Sequence, residues 1–198
     1  MFVTKVMIDL FSGLGGASEA FLADPDWSVY RIENNPLIDV PNTYHQDILK
    51  LKSADLFELT GCPPKIELIW ASPPCREFSN GYNSPRSLAL RNNEPYEPDL
   101  DCMLKALELI RGLNPKYWIL ENVFGSQKFF RPSLGSPRLV KRPFIFWGNF
   151  PLFSFSDHVK PDVWSDDPLR ANKKAVIPYE ISNNLKLAVE NQRSLSEW

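Results

Sequence analysis

The chain has 198 residues, 43% of them hydrophobic, enough to bury one sizeable core but not a second full domain. Its formal net charge of -2 and pI near 5.8 exclude a global basic field, so any nucleic-acid contact has to rest on a local patch. Cys62, Cys75 and Cys102 lack metal-ligand spacing and suggest neither a disulfide framework nor a metal site, and no apolar run is long enough to span a bilayer; a soluble, cytoplasmic protein in a reducing setting is expected.

Lys5-Val6-Met7-Ile8-Asp9-Leu10-Phe11 reads as a buried first strand, and Ser12-Gly13-Leu14-Gly15-Gly16 then turns into a helix through Ala17, Ala20, Phe21 and Leu22. Trp27 to Glu33 alternates as a second strand ending on an acidic residue, and Asn42 to Asp47 suggests a short third. The fourth strand, Ile66 to Ala71, runs into Ser72-Pro73-Pro74-Cys75. Two consecutive prolines fix φ and withhold backbone donors, so the chain must leave the sheet there and present Cys75 at a strand end.

Arg76 to Pro98 is polar and without a clear period, too long for a passive connection and therefore a candidate mobile lid. Leu100 to Leu113 places Leu100, Met103, Leu104, Leu107 and Ile110 at helical spacing, closed by Gly112 and Pro115. Tyr117 to Glu121 and Phe144 to Gly148 read as the remaining strands, and Pro151 to Ala175 is rich in proline and aspartate with little periodicity. A final helix follows Pro178 with Ile181, Leu185, Ala188 and Val189. This alternation implies an α/β fold with a doubly wound, mostly parallel sheet and ligands at the carboxyl ends of its strands, where Phe11, Glu33, Asp47, Cys75 and Glu121 all fall.

Taken alone, Cys75 suits a small buried hydrophobe as well as a nucleophile. The glycine loop permits close backbone approach to a ligand, and Glu33 can accept hydrogen bonds from two vicinal ribose hydroxyls, which suits an adenosine cofactor. No Gly-Lys-Ser/Thr follows the loop and no basic residue lies nearby, so a kinase-like phosphate grip is not indicated. Glu121 can deliver a proton or a hydrogen bond to an activated ring if burial raises its pKa toward neutrality; capping a helix is its structural alternative. His45 and His158, the only histidines, lack a cysteine-protease setting. Between Phe124 and Gly148 the chain carries Lys128, Arg131, Arg138, Lys141 and Arg142 and no acidic residue, a local basic patch.

Asp9-Leu10-Phe11-Ser12-Gly13-Leu14-Gly15-Gly16, Glu33, His45-Gln46-Asp47-Ile48, Ser72-Pro73-Pro74-Cys75 and Glu121-Asn122-Val123 together resemble the ordered motifs of DNA (cytosine-5)-methyltransferases. The resemblance covers about Val6 to Gly148 and, more weakly, Ile177-Pro178-Tyr179 with its following helix. It implies a class I S-adenosylmethionine-dependent methyltransferase with a Rossmann-like fold. Cys75 would attack C6 of a flipped-out cytosine, Glu121 would act at N3, and C5 would take the methyl group of S-adenosyl-L-methionine. The resemblance further implies cofactor contacts from Asp9, Phe11, Ser12, Gly13, Leu14, Gly15, Gly16, Glu33, Asn34, Asp47, Ile48 and Pro73. It implies substrate contacts from Pro74, Ser79, Asn122, Arg138 and Arg142, the last also assisting catalysis.

Two departures from the family pattern stand out. Its Gln-x-Arg-x-Arg strand is matched only by Arg138-Leu139-Val140-Lys141-Arg142, with Val140 in place of the middle arginine. Where relatives carry a sizeable target-recognition region, about Asn149 to Val176 is available here, too little for an independent domain. The expected organisation is a catalytic domain over 1–150, a short irregular segment over 151–176 and a returning helix over 177–198. Specificity would come from short or relaxed recognition, from a partner chain, or from a substrate other than duplex DNA. A non-catalytic relative that binds cofactor or nucleic acid and an RNA cytosine methyltransferase share the same motifs.

Overall fold

The computed structural model describes residues 4–61, 65–157, 163–164 and 166–192; Cys62, His158 and the positions from 193 onward lie outside the described residues. Seven strands form one sheet: β1 Lys5–Leu10, β2 Trp27–Glu33, β3 Thr43–His45, β4 Leu68–Ala71, β5 Tyr117–Val123, β6 Leu139–Lys141 and β7 Phe144–Asn149. They run in the order β3-β2-β1-β4-β5-β7-β6, parallel from β3 to β5, with β7 antiparallel to both β5 and β6. The doubly wound, mostly parallel sheet expected from the strand and helix alternation is therefore present.

The central strands read as continuous apolar runs because both faces of the sheet are covered. Val6, Ile8, Leu10, Ile69 and Ala71 point into one core layer with Leu56, Met103, Ala106 and Ile110. Met7, Leu68 and Trp70 alternate into the other, with Phe21, Phe146, Ile181, Leu185 and Val189. The first layer is roofed by α2 (Ser53–Thr60), α4 (Asp101–Leu113) and α5 (Gln127–Leu134), the second by α1 (Glu19–Leu22) and α7 (Tyr179–Glu190). Buried Ser182 on α7 accepts from Ala20 N at 3.1 Å and donates to Ala17 O at 2.7 Å, so its hydroxyl is satisfied while it locks α7 onto the turn after the glycine loop.

Several local expectations change. The helix after the glycine loop is a single 3-10 turn over Gly16–Ser18 followed by the one-turn α1. Gly112 lies inside α4 instead of closing it; the cap is Asn114, left-handed at φ 47°, and Leu104 is exposed. The polar stretch from Arg76 to Pro98 contains a two-turn helix, α3 (Pro85–Arg91), started by Ser84, whose hydroxyl accepts from Ser87 N. The irregular segment before Pro178 holds α6 (Arg170–Ala175), and α2 and α5 add helices that the apolar spacing does not announce, whereas β6 falls within the Arg138–Arg142 strand match.

Candidate active site

At the carboxyl ends of β1, β2, β4 and β5 the sheet opens into a cleft of about 1040 Å³. Its lining brings together Asp9, Phe11, Ser12, Gly13, Leu14, Gly16, Glu33, Asn34, Asp47, Ile48, Pro73, Pro74, Cys75, Ser79 and Glu121, drawn from motifs up to 112 positions apart. Gly15, Asn122, Arg138 and Arg142 do not line it.

Each of those four has a different place. Gly15 adopts φ 77°, and the Arg31 guanidinium occupies the position a Cβ would take while its Nη2 donates to Gly15 O at 2.9 Å. Arg31 is buried, and its Nε also reaches Ser18 Oγ, which donates to Asp9 at 2.6 Å. A basic residue therefore does stand against the glycine loop, contributed by β2 instead of by the loop's own sequence neighbours. It holds the Gly15 carbonyl and, through Nη1, the carbonyl of Pro41. Asn122 is buried on β5, donating to Pro73 O at 2.9 Å and accepting from Val123 N, so it ties the diproline turn to the sheet. Arg138 donates to Phe150 O, and Arg142 lies over the Phe124 ring.

Cys75 follows β4 on a turn in which its carbonyl accepts from both Phe78 N and Ser79 N at 3.0 Å. It is partly exposed to the cleft. A second thiol, Cys102, lines the same space, but burial first and then Asp99, Asp101 and Asp47 push its pKa up, which opposes thiolate formation.

Glu121 is buried near the end of β5, one strand from Cys75. Burial lifts its carboxyl from 4.5 to about 7, against the lowering effect of a 2.8 Å hydrogen bond from Ser72 Oγ. Near neutral pH it can hold and give a proton. Asp9, deep in the cleft, is lifted to about 7 chiefly by burial, with Ser18 and Arg31 opposing.

The glycine-loop half of the cleft carries groups that could hold an adenosine ligand. Glu33 accepts from Gly13 N at 2.8 Å and from Asn34 N and Asn35 N, so it orders the loop and keeps acceptor capacity on its second oxygen. A Cβ on Gly13 would meet only Asn172 Nδ2 at 4.0 Å, so the loop backbone faces open space. Ser12 Oγ is buried with no hydrogen-bond partner among the described residues, an orphan polar atom that a bound ligand would satisfy. Asp47 accepts from Leu49 N and pairs with Lys50, which holds its pKa low and fixes the turn carrying Ile48.

Sequence reading missed the opposite wall. Arg170, Asn172, Lys174 and Val176 line it from the segment before Pro178, with Asn172 facing Gly13 and Val176 against Gly16, and Tyr82 and Asn83 come from the stretch after Cys75. Ser84-Pro85 is a usable helix-start signal for that stretch. The basic, apolar-poor α6 offers none.

Residues 6–129 match the family of C-5 cytosine-specific DNA methylases. Among curated proteins, the "Probable DNA (cytosine-5)-methyltransferase" of Frog virus 3 (isolate Goorha) is 29% identical over 121 residues, covering 59% of this chain and 52% of its own. The type II methyltransferase M.AquIA of Picosynechococcus sp. is 27% identical over 135 residues, covering 61% and 49%. The chain thus spans about half the length of these curated relatives. Among solved structures, a protein assigned as a DNA modification methyltransferase, encoded within a prophage of E. coli, superposes with a TM-score of 0.50 at 20% identity, covering 74% of this chain and 47% of that one. That likeness concerns the fold.

Proposed function

This chain belongs to the C-5 cytosine-specific DNA methylases, and from that premise we propose that it moves a methyl group from S-adenosylmethionine to C5 of cytosine in DNA through a covalent bond between Cys75 and C6. The observation that carries the reading is one cleft holding the Cys75 thiol, a buried Glu121 poised to keep its proton near neutrality, and an open glycine loop with an orphan Ser12 hydroxyl.

The chain's own chemistry follows from those groups. Cys75, as thiolate, adds to C6 of a cytosine turned out of the helix, and the ring gains negative charge. Glu121 hydrogen-bonds or protonates N3, offsets that charge and leaves C5 nucleophilic. Bound S-adenosylmethionine supplies an electrophilic methyl group. With the methyl group on C5, the C5 proton passes to solvent water, the C5–C6 double bond re-forms as the Cys75 thiolate departs, and N3 returns any proton it took to Glu121. Phe11, Ser12, Gly13, Leu14 and Gly16 would hold the methionine side, Glu33 and Asn34 the ribose, and Asp47, Ile48 and Pro73 the adenine end. Asp9 would support them from beneath the loop.

DNA contacts divide between positioning and closure. Lys141 is engaged with Phe155 O and Asp157, and Arg138 with Phe150, so part of the basic run is already occupied. Arg76, Arg170 and Lys174 line the cleft and are better placed to meet phosphates flanking the extruded base. Pro74 and Ser79 would border the base, with Arg76 to Pro98 closing over it.

The test is calorimetry with S-adenosylhomocysteine together with transfer of a tritiated methyl group from S-adenosylmethionine to a cytosine-rich DNA duplex, with RNA of the same sequence as control. Binding and transfer to DNA are expected. Binding without transfer to either polymer contradicts the enzyme reading, and transfer to RNA alone contradicts the substrate.

A further inference from the structure

Next to the acid lies a chain of polar groups that the reaction just described does not use. Trp70 is fully buried on β4, yet its indole nitrogen has a partner: Nε1 donates to Ser72 Oγ at 2.7 Å. Ser72 Oγ in turn donates to Glu121 Oε2 at 2.8 Å. An indole N–H can only donate, so it takes a lone pair of the Ser72 oxygen and directs the hydroxyl hydrogen away from itself. The acceptor waiting there is Oε2.

We propose that Trp70 and Ser72 form a positioning relay that reserves Glu121 Oε2 as an acceptor and so keeps the acidic proton on Oε1, the oxygen left to meet the base. Oε1 has no hydrogen-bond partner among the described residues and is not sealed from the cleft. A carboxylic O–H oxygen is the poorer acceptor, so a hydroxyl donating to Oε2 favours the proton on the other oxygen. A neutral carboxyl held this way presents its donor in a fixed direction, as hydrogen bonding to a ring nitrogen requires. The relay rests on the methyltransferase reading for its purpose, though not for its existence.

The surroundings leave the relay as the adjustable influence on Glu121. Phe146 faces it in register from β7 and carries no charge. Asp9, Glu33, Arg76 and the Cys75 thiol line the same cleft, but the influences resolved at Glu121 are burial and the Ser72 hydroxyl.

The experiment is a carboxyl-carbon NMR titration of apo protein labelled at glutamate, with the Glu121 signal assigned by its loss in Glu121→Gln. Wild type, Ser72→Ala, Ser72→Thr and Trp70→Phe are compared, each with a pH profile of kcat. Removing the hydroxyl in Ser72→Ala is expected to raise the proton affinity of Glu121 about tenfold. Trp70→Phe moves the midpoint the same way by less, although Trp70 does not touch Glu121, and Ser72→Thr restores it. The alkaline limb of kcat follows the NMR midpoint while its plateau falls several-fold in Ser72→Ala. A Glu121 midpoint that is the same in wild type and Ser72→Ala overturns the relay, as does a Ser72→Thr protein that behaves like Ser72→Ala. Ser72→Ala carries the test if Trp70→Phe fails to fold. The titration needs no substrate, so a protein that shows the midpoint shifts but transfers no methyl group counts against the methyltransferase reading, not against the relay.

Discussion

Replacing Glu121 by glutamine should remove a specific slope from the pH dependence of stability. The folded carboxyl titrates near 7 because burial penalises its charge, whereas in the unfolded chain it titrates near 4.5. Below 4.5 both states hold the proton and the contribution to stability is fully present. As pH rises from 4.5 toward 7 the unfolded chain releases its proton while the folded one keeps it, so the folded state binds more protons and stability falls, levelling above about pH 8. The separation corresponds to about 3 kcal/mol, or about 1.5 M in urea midpoint for a slope near 2 kcal/mol/M. Asp9 adds a fall of the same sign over the range from 3.8 to about 7, so wild type alone cannot isolate Glu121. The difference between wild type and Glu121→Gln can. Urea unfolding followed by tryptophan fluorescence from pH 4.5 to 8.5 should show the variant gaining relative to wild type by about 3 kcal/mol across that range. Parallel curves would refute the assignment of a buried, proton-holding acid.

Three further outcomes follow from the geometry. Asn122→Ala leaves Pro73 O and Val123 N without their side-chain partner; it should cost about 1–3 kcal/mol by urea unfolding and lower kcat while S-adenosylhomocysteine affinity holds. A Cβ at Gly16 would overlap the carbonyl oxygen of Ile177, so Gly16→Ala should destabilise by about 2 kcal/mol and weaken S-adenosylhomocysteine binding measured by calorimetry. Cys102, its thiol pKa pushed up by burial and three aspartates, should react slowly with iodoacetamide at neutral pH and faster in alkali, read by mass spectrometry of its peptide.

The parts legible in the sequence were those written in long apolar runs and rigid punctuation. Strands such as Lys5–Leu10 and Tyr117–Val123 are buried on both faces, so their composition alone marks them. The diproline placed Cys75 at the end of β4 because proline leaves the backbone little choice. Short elements with few buried residues were not legible: α5 buries Phe130 and contains Pro132, and α6 buries no residue at all. Their positions depend on tertiary contacts that local spacing does not encode. For the site, a strand-end rule located Glu33, Cys75 and Glu121 together. The places of Asn122, Arg31 and Ser72 were hidden because each acts through a hydrogen bond to a residue distant in sequence or on another element, and no motif states that bond.

The covalent step is tested most directly with a duplex carrying 5-fluorocytosine, incubated with the protein and S-adenosylmethionine and run on a denaturing gel. Fluorine at C5 cannot leave as a proton does, so the Cys75–C6 bond should persist as a slower band in the wild type and be absent in Cys75→Ser. A band that survives Cys75→Ser, or no band with duplexes of varied sequence under conditions where S-adenosylhomocysteine binds, would contradict Cys75 as the nucleophile of a cytosine C5 methyltransferase.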